Sequence, residues 1–263
     1  MKPEDIERIK ELLPTSLGSA EIREQIAADI LRCSVVTARM ENARYLAKIR
    51  DVATELAAGR INAAKAREVL LNALSQMGYD TTADDGKVSN PVSQRRLDLI
   101  LETQRQMASS VARISLETED TLDMYPAWEL TRADEPMNAR GDWPRRWAAA
   151  GESVGWEGAR KGSYQGTGIG LSFIALKSSP IWAALGSGVG GFRDTLGNPF
   201  PPFAFGSYMD WVDVDRETCE RLGLIKAGEE LMPVKKPTLT PDDQELIEAA
   251  KRVGWPGLFD DLK

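Results

Sequence analysis

Residues 127–132 read AWELTR, and the chain changes character there. Before it, apolar residues recur at helical spacing. After it come glycine- and proline-dense stretches and every one of the seven tryptophans, from Trp128 to Trp255. The hexapeptide itself has the make-up of a short strand. The fold class that follows is α+β: a helical N-terminal half, then a small compact α+β module with few strands.

Working back from 127, a long helix is predicted from about Pro91 to about Glu117, with Leu97, Ile100, Met107, Val111 and Ile114 as its apolar stripe. Glu117, Glu119, Asp120 and Asp123 crowd beyond it. A helix C-terminus disfavours negative charge, so the helix ends by that point. The polar segment 79–90 reads as an exposed connection. Before it, Met40, Ala43, Leu46, Ile49, Ala53 and Leu56 mark one helix that Gly59 ends. Asn62 caps the next, with Ala66, Leu70, Ala73 and Met77 as its stripe and Gly78 as its stop. The short turn between these two requires antiparallel packing. Pro3 suits the first turn of an opening helix that ends before Pro14, and Ser19 is the predicted cap of another.

Working forward, Asp142 caps a short helix containing Pro144 and Trp147. A glycine-rich loop spans 151–170. LSFIALK (171–177) is the strongest strand candidate, and SSPIWAAL (178–185) is a helix with Ser179 as cap. Asp215 caps a short helix ending at Gly223, residues 226–240 form a linker, and Pro241 to Val253 make a last helix. The domain reading is therefore 1–90 helical, 91–225 long helix plus α+β module, and 226–263 linker and C-terminal helix.

Composition narrows the chemistry. Among 263 residues there is no histidine, which removes Ser/His/Asp triads, Cys/His dyads and His-ligated metals. Two cysteines, Cys33 and Cys219, cannot build a Cys₄ site and read as small buried hydrophobes. The net charge of −7 argues against nucleic-acid wrapping as the main task. MKPEDIERIK carries no apolar signal region, and no apolar run approaches the roughly 20 residues that span a bilayer. The expectation is a chain with no membrane partner, no metal and no cofactor.

Several segments carry side chains suited to function. QGTGIG (165–170) leads into a strand and not a helix, so it reads as a loop and not a phosphate cradle; GSGVGG (186–191) fails the same test. Trp143, Arg145, Arg146 and Trp147 join basic and aromatic groups. Such a cluster binds bases and phosphates, or forms the outer face of an amphipathic helix. Seven basic against six acidic residues from 127 to 180 give no electrostatic footprint for DNA. The acidic groups Glu117, Glu119, Asp120, Asp123 and Asp210, Asp213, Asp215 read as solvated, with Asp215 as a cap.

NPFPPFAFGSYMDW (198–211) is the least ordinary stretch. Pro199, Pro201 and Pro202 restrict the backbone. Phe203, Phe205 and Trp211 at odd positions suggest one buried face of an extended segment, a rigid loop pinned by aromatics onto the sheet. The alternative is a docking surface. Trp128, Trp143, Trp147, Trp156, Trp182, Trp211 and Trp255 are many for this length, and tryptophan is enriched at interfaces.

LDLILETQRQMASS (97–110), PAWELTR (126–132) and DTLGNPFPPFAF (194–205), in that order, resemble the Mu-type head morphogenesis, or minor head, proteins of tailed bacteriophages. The resemblance covers about 91–215. Many members carry a histidine in the α+β module and a His/Cys cluster after the prolines; Phe203, Ala204, Phe205, Gly206 and Ser207 stand here instead, so no metal function carries over. The resemblance implies a virion protein of phage or prophage, made in the host cytoplasm. It would act near the portal in head assembly, DNA packaging or DNA delivery, with portal or capsid protein as partner, self-association and no catalysis. Two alternatives stand beside it: a head–tail adaptor of the neck, and a nuclease or transferase built on acidic residues with Arg193, Asp194 and Tyr208.

Overall fold

A computed structural model describes residues 1–132, 141–156, 173–240 and 243–252. The chain forms two compact units, Met1–Ala112 with Pro237–Lys263, and Arg113–Lys236. These limits differ from boundaries drawn on composition at 90 and 225, for a physical reason. Val92, Leu97 and Leu101 join the same core as the preceding helices, and Ala249 near the C-terminus packs in a cluster with Leu13, Ile22, Ile26 and Ile30. Burial, and not local composition, sets the division. The described residues carry eleven helices and five short strands, so the α+β reading holds.

In the first unit, helix α1 (Pro3–Arg8) begins on Pro3 as expected. Strands β1 (Glu11–Leu12) and β2 (Ser34–Val35) pair in parallel. Between them lie α2 (Ser19–Gln25) and α3 (Ala28–Arg32). Gly18, not Ser19, occupies the cap position of α2, and its N–H donates to the Glu21 carboxylate at 2.7 Å. Helix α4 (Ala43–Ala57) starts later than the stripe from Met40 suggests. Met40 is bridged to Thr15, and the Asn42 side chain accepts the Tyr45 N–H. Helix α5 (Ala63–Gln76) is capped by Asn62 as read, and Gly59 and Gly78 terminate the pair at positive φ. Leu46, Ile49, Leu70 and Leu74 are fully buried at the centre of this core. Helix α6 (Gln94–Ser115) begins where Ser93 Oγ accepts the Arg96 N–H.

In the second unit, α6 has ended before the acidic group, as expected. Thr118 then caps a further helix, α7 (Glu119–Met124), which the sequence reading lacked. Glu119 and Asp120 thereby sit in a first turn, where the helix dipole favours them. Strand β3 (Ala127–Arg132) is central in a three-stranded antiparallel sheet, with β4 (Phe173–Leu176) on one side and β5 (Met209–Val214) on the other. Helices α8 (Trp143–Ser153), α9 (Ile181–Ser187) and α10 (Arg216–Arg221) surround it in sequence, and α11 (Asp243–Arg252) returns to the first unit. Asp215 caps α10 by accepting the Thr218 N–H at 2.7 Å.

Register gives the sheet two chemically different faces. Trp128 lies opposite Ala175 and Asp213; Leu130 lies opposite Phe173 and Trp211. On this face Trp128 stacks on Trp211 at 3.8 Å, and Trp182 meets both edge-on at 5.9 Å. Phe203 and Trp147 close the group at 6.1 and 5.4 Å from Trp182, the offset and edge geometries aromatic quadrupoles prefer. On the other face Ala127, Ile174 and Val214 pack with Cys219 and Ile225.

The glycines of GSGVGG have a packing role. The Gly186 carbonyl accepts the Gly197 N–H at 2.9 Å, and a Cβ added at Gly186 would lie 1.8 Å from the Asn198 carbonyl oxygen. QGTGIG lies outside the described residues. Gly186→Ala must push backbone apart, so it is expected to destabilise by at least about 2 kcal/mol. An unchanged urea midpoint would contradict this packing.

Candidate functional site

The densest arrangement of charged chemistry in the second unit centres on Lys177. This residue follows β4 directly, and its N–H donates to the Pro126 carbonyl at 2.9 Å, in line with the start of β3. Its side chain is 1% exposed. Nζ lies 2.7 Å from Glu117 Oε1, 2.9 Å from Asp213 Oδ1 and 5.4 Å from the centroid of Trp128. Asp213 also accepts from Arg113 Nη2 at 2.8 Å and from Trp128 Nε1 at 3.1 Å. Arg113 uses its other arm on the Trp211 carbonyl at 2.8 Å. Lys177 and Arg113 together join the end of α6, the turn before α7, β4 and β5.

Burial alone would raise the Asp213 pKa. Hydrogen bonds from Lys177 and Arg113, with their positive charge, outweigh it and hold the carboxyl below its ordinary value of 3.8. The chemistry is that of a tie and not of a reactive centre. A nucleophilic lysine presents a lone pair to a substrate; this ammonium faces two carboxylates and an indole in a closed environment.

A second tie is Arg146, 5% exposed. Its Nε donates to Asp142 Oδ2 at 2.9 Å and Nη2 to both oxygens of Asp194 at 2.9 and 3.0 Å. Its guanidinium lies 4.3 Å from the Phe192 centroid and 5.1 Å from that of Trp143. The outer-face reading of this helix is corrected here: Trp143, Arg146, Trp147 and Ala150 form the inward stripe of α8, and Arg145 alone of the basic–aromatic cluster is exposed. Asp142 precedes α8 but caps it with no side-chain bond; its Oδ2 accepts from Arg146 instead.

The aromatic candidates are core. Trp128, Trp143, Trp147, Trp182, Phe203 and Trp211 are each at most 2% exposed. Pro201 and Pro202 are buried, whereas Pro199 and Phe205 are half-buried. Backbone bonds from Leu196 to Phe203 and from Phe205 to Asp194, both 3.0 Å, close the loop on itself, and Phe203 meets Trp211 of β5 edge-on at 6.3 Å. The interface reading of the buried tryptophans is thereby corrected: their surface is spent inside the unit. Of the residues considered for catalysis, Asp194 is bound to Arg146, Arg193 is exposed, and Tyr208 enters β5 at φ +53°.

The acids read as solvated are exposed at Glu119, Asp120, Asp123, Asp213 and Asp215, and the reading is corrected for Glu117, whose side chain is 10% exposed. Glu117 and Asp213 pair with Lys177, and Asp123 pairs with Arg216 at 2.5 Å. Sequence reasoning missed Lys177 and Arg113 because their partners lie 60 and 100 residues away. Among the described residues, no three Cys, Asp or Glu side chains are grouped to hold a metal ion. No described helix is long and apolar enough to cross a membrane.

The depressed Asp213 pKa fixes a direction of pH dependence. Its contribution is present above its ordinary value of 3.8 and is lost as pH falls through the lower folded value. Stability measured by urea unfolding should therefore drop on acidification through the carboxylate range, and Asp213→Asn should flatten that part of the profile. An identical profile in the variant would count against the tie.

Comparison with protein families, with curated proteins and with solved structures found no match to this chain.

Proposed function

We propose that the chain is a minor head protein of a tailed phage or prophage. It acts in head assembly, DNA packaging or DNA delivery through contacts with portal or capsid protein, and it performs no catalysis. The observation that carries this reading is the order along the chain of the 22-residue α6, the short central strand β3 and, later, the aromatic–proline loop. That is the order in which LDLILETQRQMASS, PAWELTR and DTLGNPFPPFAF resemble head morphogenesis proteins.

Two features of the second unit support a binding role. Its chemically distinctive side chains, Lys177, Arg146 and the tryptophans, are engaged in holding the module rigid. A rigid module loses little conformational entropy when it docks. Meanwhile Leu116, Met124, Tyr125, Val212, Leu222 and Met232 remain exposed and offer apolar area to a partner.

The test is protein mass spectrometry of phage particles purified from cells that carry this gene, together with affinity capture of the tagged chain. Presence in particles at a few copies, with portal protein in the captured fraction, is the expected result. A chain that stays free in the host cytosol while particles assemble without it would refute the proposal.

A further inference from the structure

We propose that α7 and the segment beside it, residues 229–236, form a docking surface for a cationic amphipathic helix of a partner protein. This rests on the binding role proposed above and names where, and by what chemistry, the binding occurs.

Side-chain bonds at two places lay this segment along α7. Arg216 Nη2 donates to Asp123 Oδ1 at 2.5 Å and to the Glu229 carbonyl at 3.3 Å, so the last turn of α7 and the start of the segment share one nitrogen. Arg216 Nε also donates to the Asp123 carbonyl at 2.9 Å. At the other end Lys236 Nζ donates to the Ser115 carbonyl at 3.1 Å, shortly before α7 begins. The segment therefore runs antiparallel to Ser115–Asp123 and is tied at both ends. Each element also has an inward apolar residue. Leu122 is buried, and Leu231 packs on the cluster of Val214, Cys219 and Ile225.

The outward side is apolar as well. Met232 is 73% exposed and Leu116 64%, and Met124 and Tyr125 are exposed beside them. A single exposed apolar side chain is ordinary, but four on elements tied to one another mark an interaction surface. Two of the four are methionines, whose unbranched, polarizable chains adapt to the apolar face of a helix.

The charge around these residues selects the partner. Residues 116–125 and 229–234 contain six acidic residues and no basic one. Glu117 is committed to Lys177, and Asp123 to Arg216. Glu119, Asp120 and Glu230 are exposed, and among the described residues they form no ion pair. Lys235 and Lys236 stand at the margin, and Lys236 is held by Ser115. Such a frame repels a polyanion, whether a nucleic acid or a membrane of anionic lipids. Carboxylates around methionine and aromatic surface instead complement a helix that carries lysine or arginine beside an apolar stripe.

The test uses the full chain and a fluorescein-labelled synthetic helix of leucine and lysine with one apolar stripe, followed by fluorescence anisotropy. Its controls are a peptide of the same composition with the stripe scrambled, and a counterpart with glutamate in place of lysine. The cationic amphipathic peptide should bind, the scrambled one at least about tenfold more weakly, and the acidic one not at all. Met124→Ser with Met232→Ser, and separately Glu119→Lys with Asp120→Lys, should each weaken binding about tenfold. Both pairs are exposed, so the Tm should not move. Hydrogen exchange of the complex should show added protection at 116–125 and 229–236. No binding by the wild type, protection elsewhere only, or wild-type binding by either variant would overturn the surface. Capture from phage particles separates this from the virion reading. Portal protein retained by both variants would refute this surface and leave the virion role standing. A chain that binds the peptide at these residues but is absent from particles would do the reverse.

Discussion

The second unit depends on the enclosure of one positive charge. An ammonium taken out of water is tolerated only where carboxylates meet it, and Glu117 and Asp213 come from segments far apart in the chain. Asp213 reaches Lys177 because β5 pairs with β3 in a register that sets Asp213 opposite Trp128. A slip of one residue would turn every β5 side chain to the other face. It would expose Trp211 and leave Lys177 with one partner. The electrostatic tie and the aromatic stack therefore specify the same register.

Three strands of four to six residues make a sheet too small to be stable through its ladder alone. The large flat side chains compensate. Trp128, Trp147, Trp182, Phe203 and Trp211 fill one face and draw α8, α9 and the proline loop onto it. A consequence follows for recognition. Apolar surface that suggests an interface is consumed internally, and the backbone of edge strand β5 is partly occupied as well. The Trp211 N–H donates to Asp210 Oδ1 and its carbonyl accepts from Arg113. Side chains that satisfy an edge in this way discourage strand addition. A partner is left with helix surfaces, turns and the exposed apolar residues around Met124 and Leu222.

What the sequence disclosed was local. Asn42 lies at the start of a helix the apolar stripe marks, and Asn62 and Asp215 cap helices through side-chain bonds that span three residues, so composition and spacing suffice to find the latter two. AWELTR has the make-up of a short strand and LSFIALK carries an apolar run, and strands form over Ala127–Arg132 and Phe173–Leu176. What stayed hidden depended on distant partners. MDWVDV looks like the end of a proline-rich loop until β3 is there to receive it. Trp143, Arg145, Arg146 and Trp147 look like an outer face until Asp194 draws Arg146 inward. Thr118 capping α7 is a local signal, but the acidic run beside it suits the end of one helix as a stop and the opening of the next as a first turn, and only the structure decides between them.

The most direct measurement is a double-mutant cycle on Lys177→Met and Glu117→Gln, read by urea unfolding. Lys177→Met alone should cost about 3–5 kcal/mol, because it strands a largely buried carboxylate. The double variant should lie closer to Lys177→Met than the sum of the single effects, with a coupling of at least about 1 kcal/mol. Two effects that simply add, to within about 0.5 kcal/mol, would mean that the lysine does not hold this unit together through Glu117.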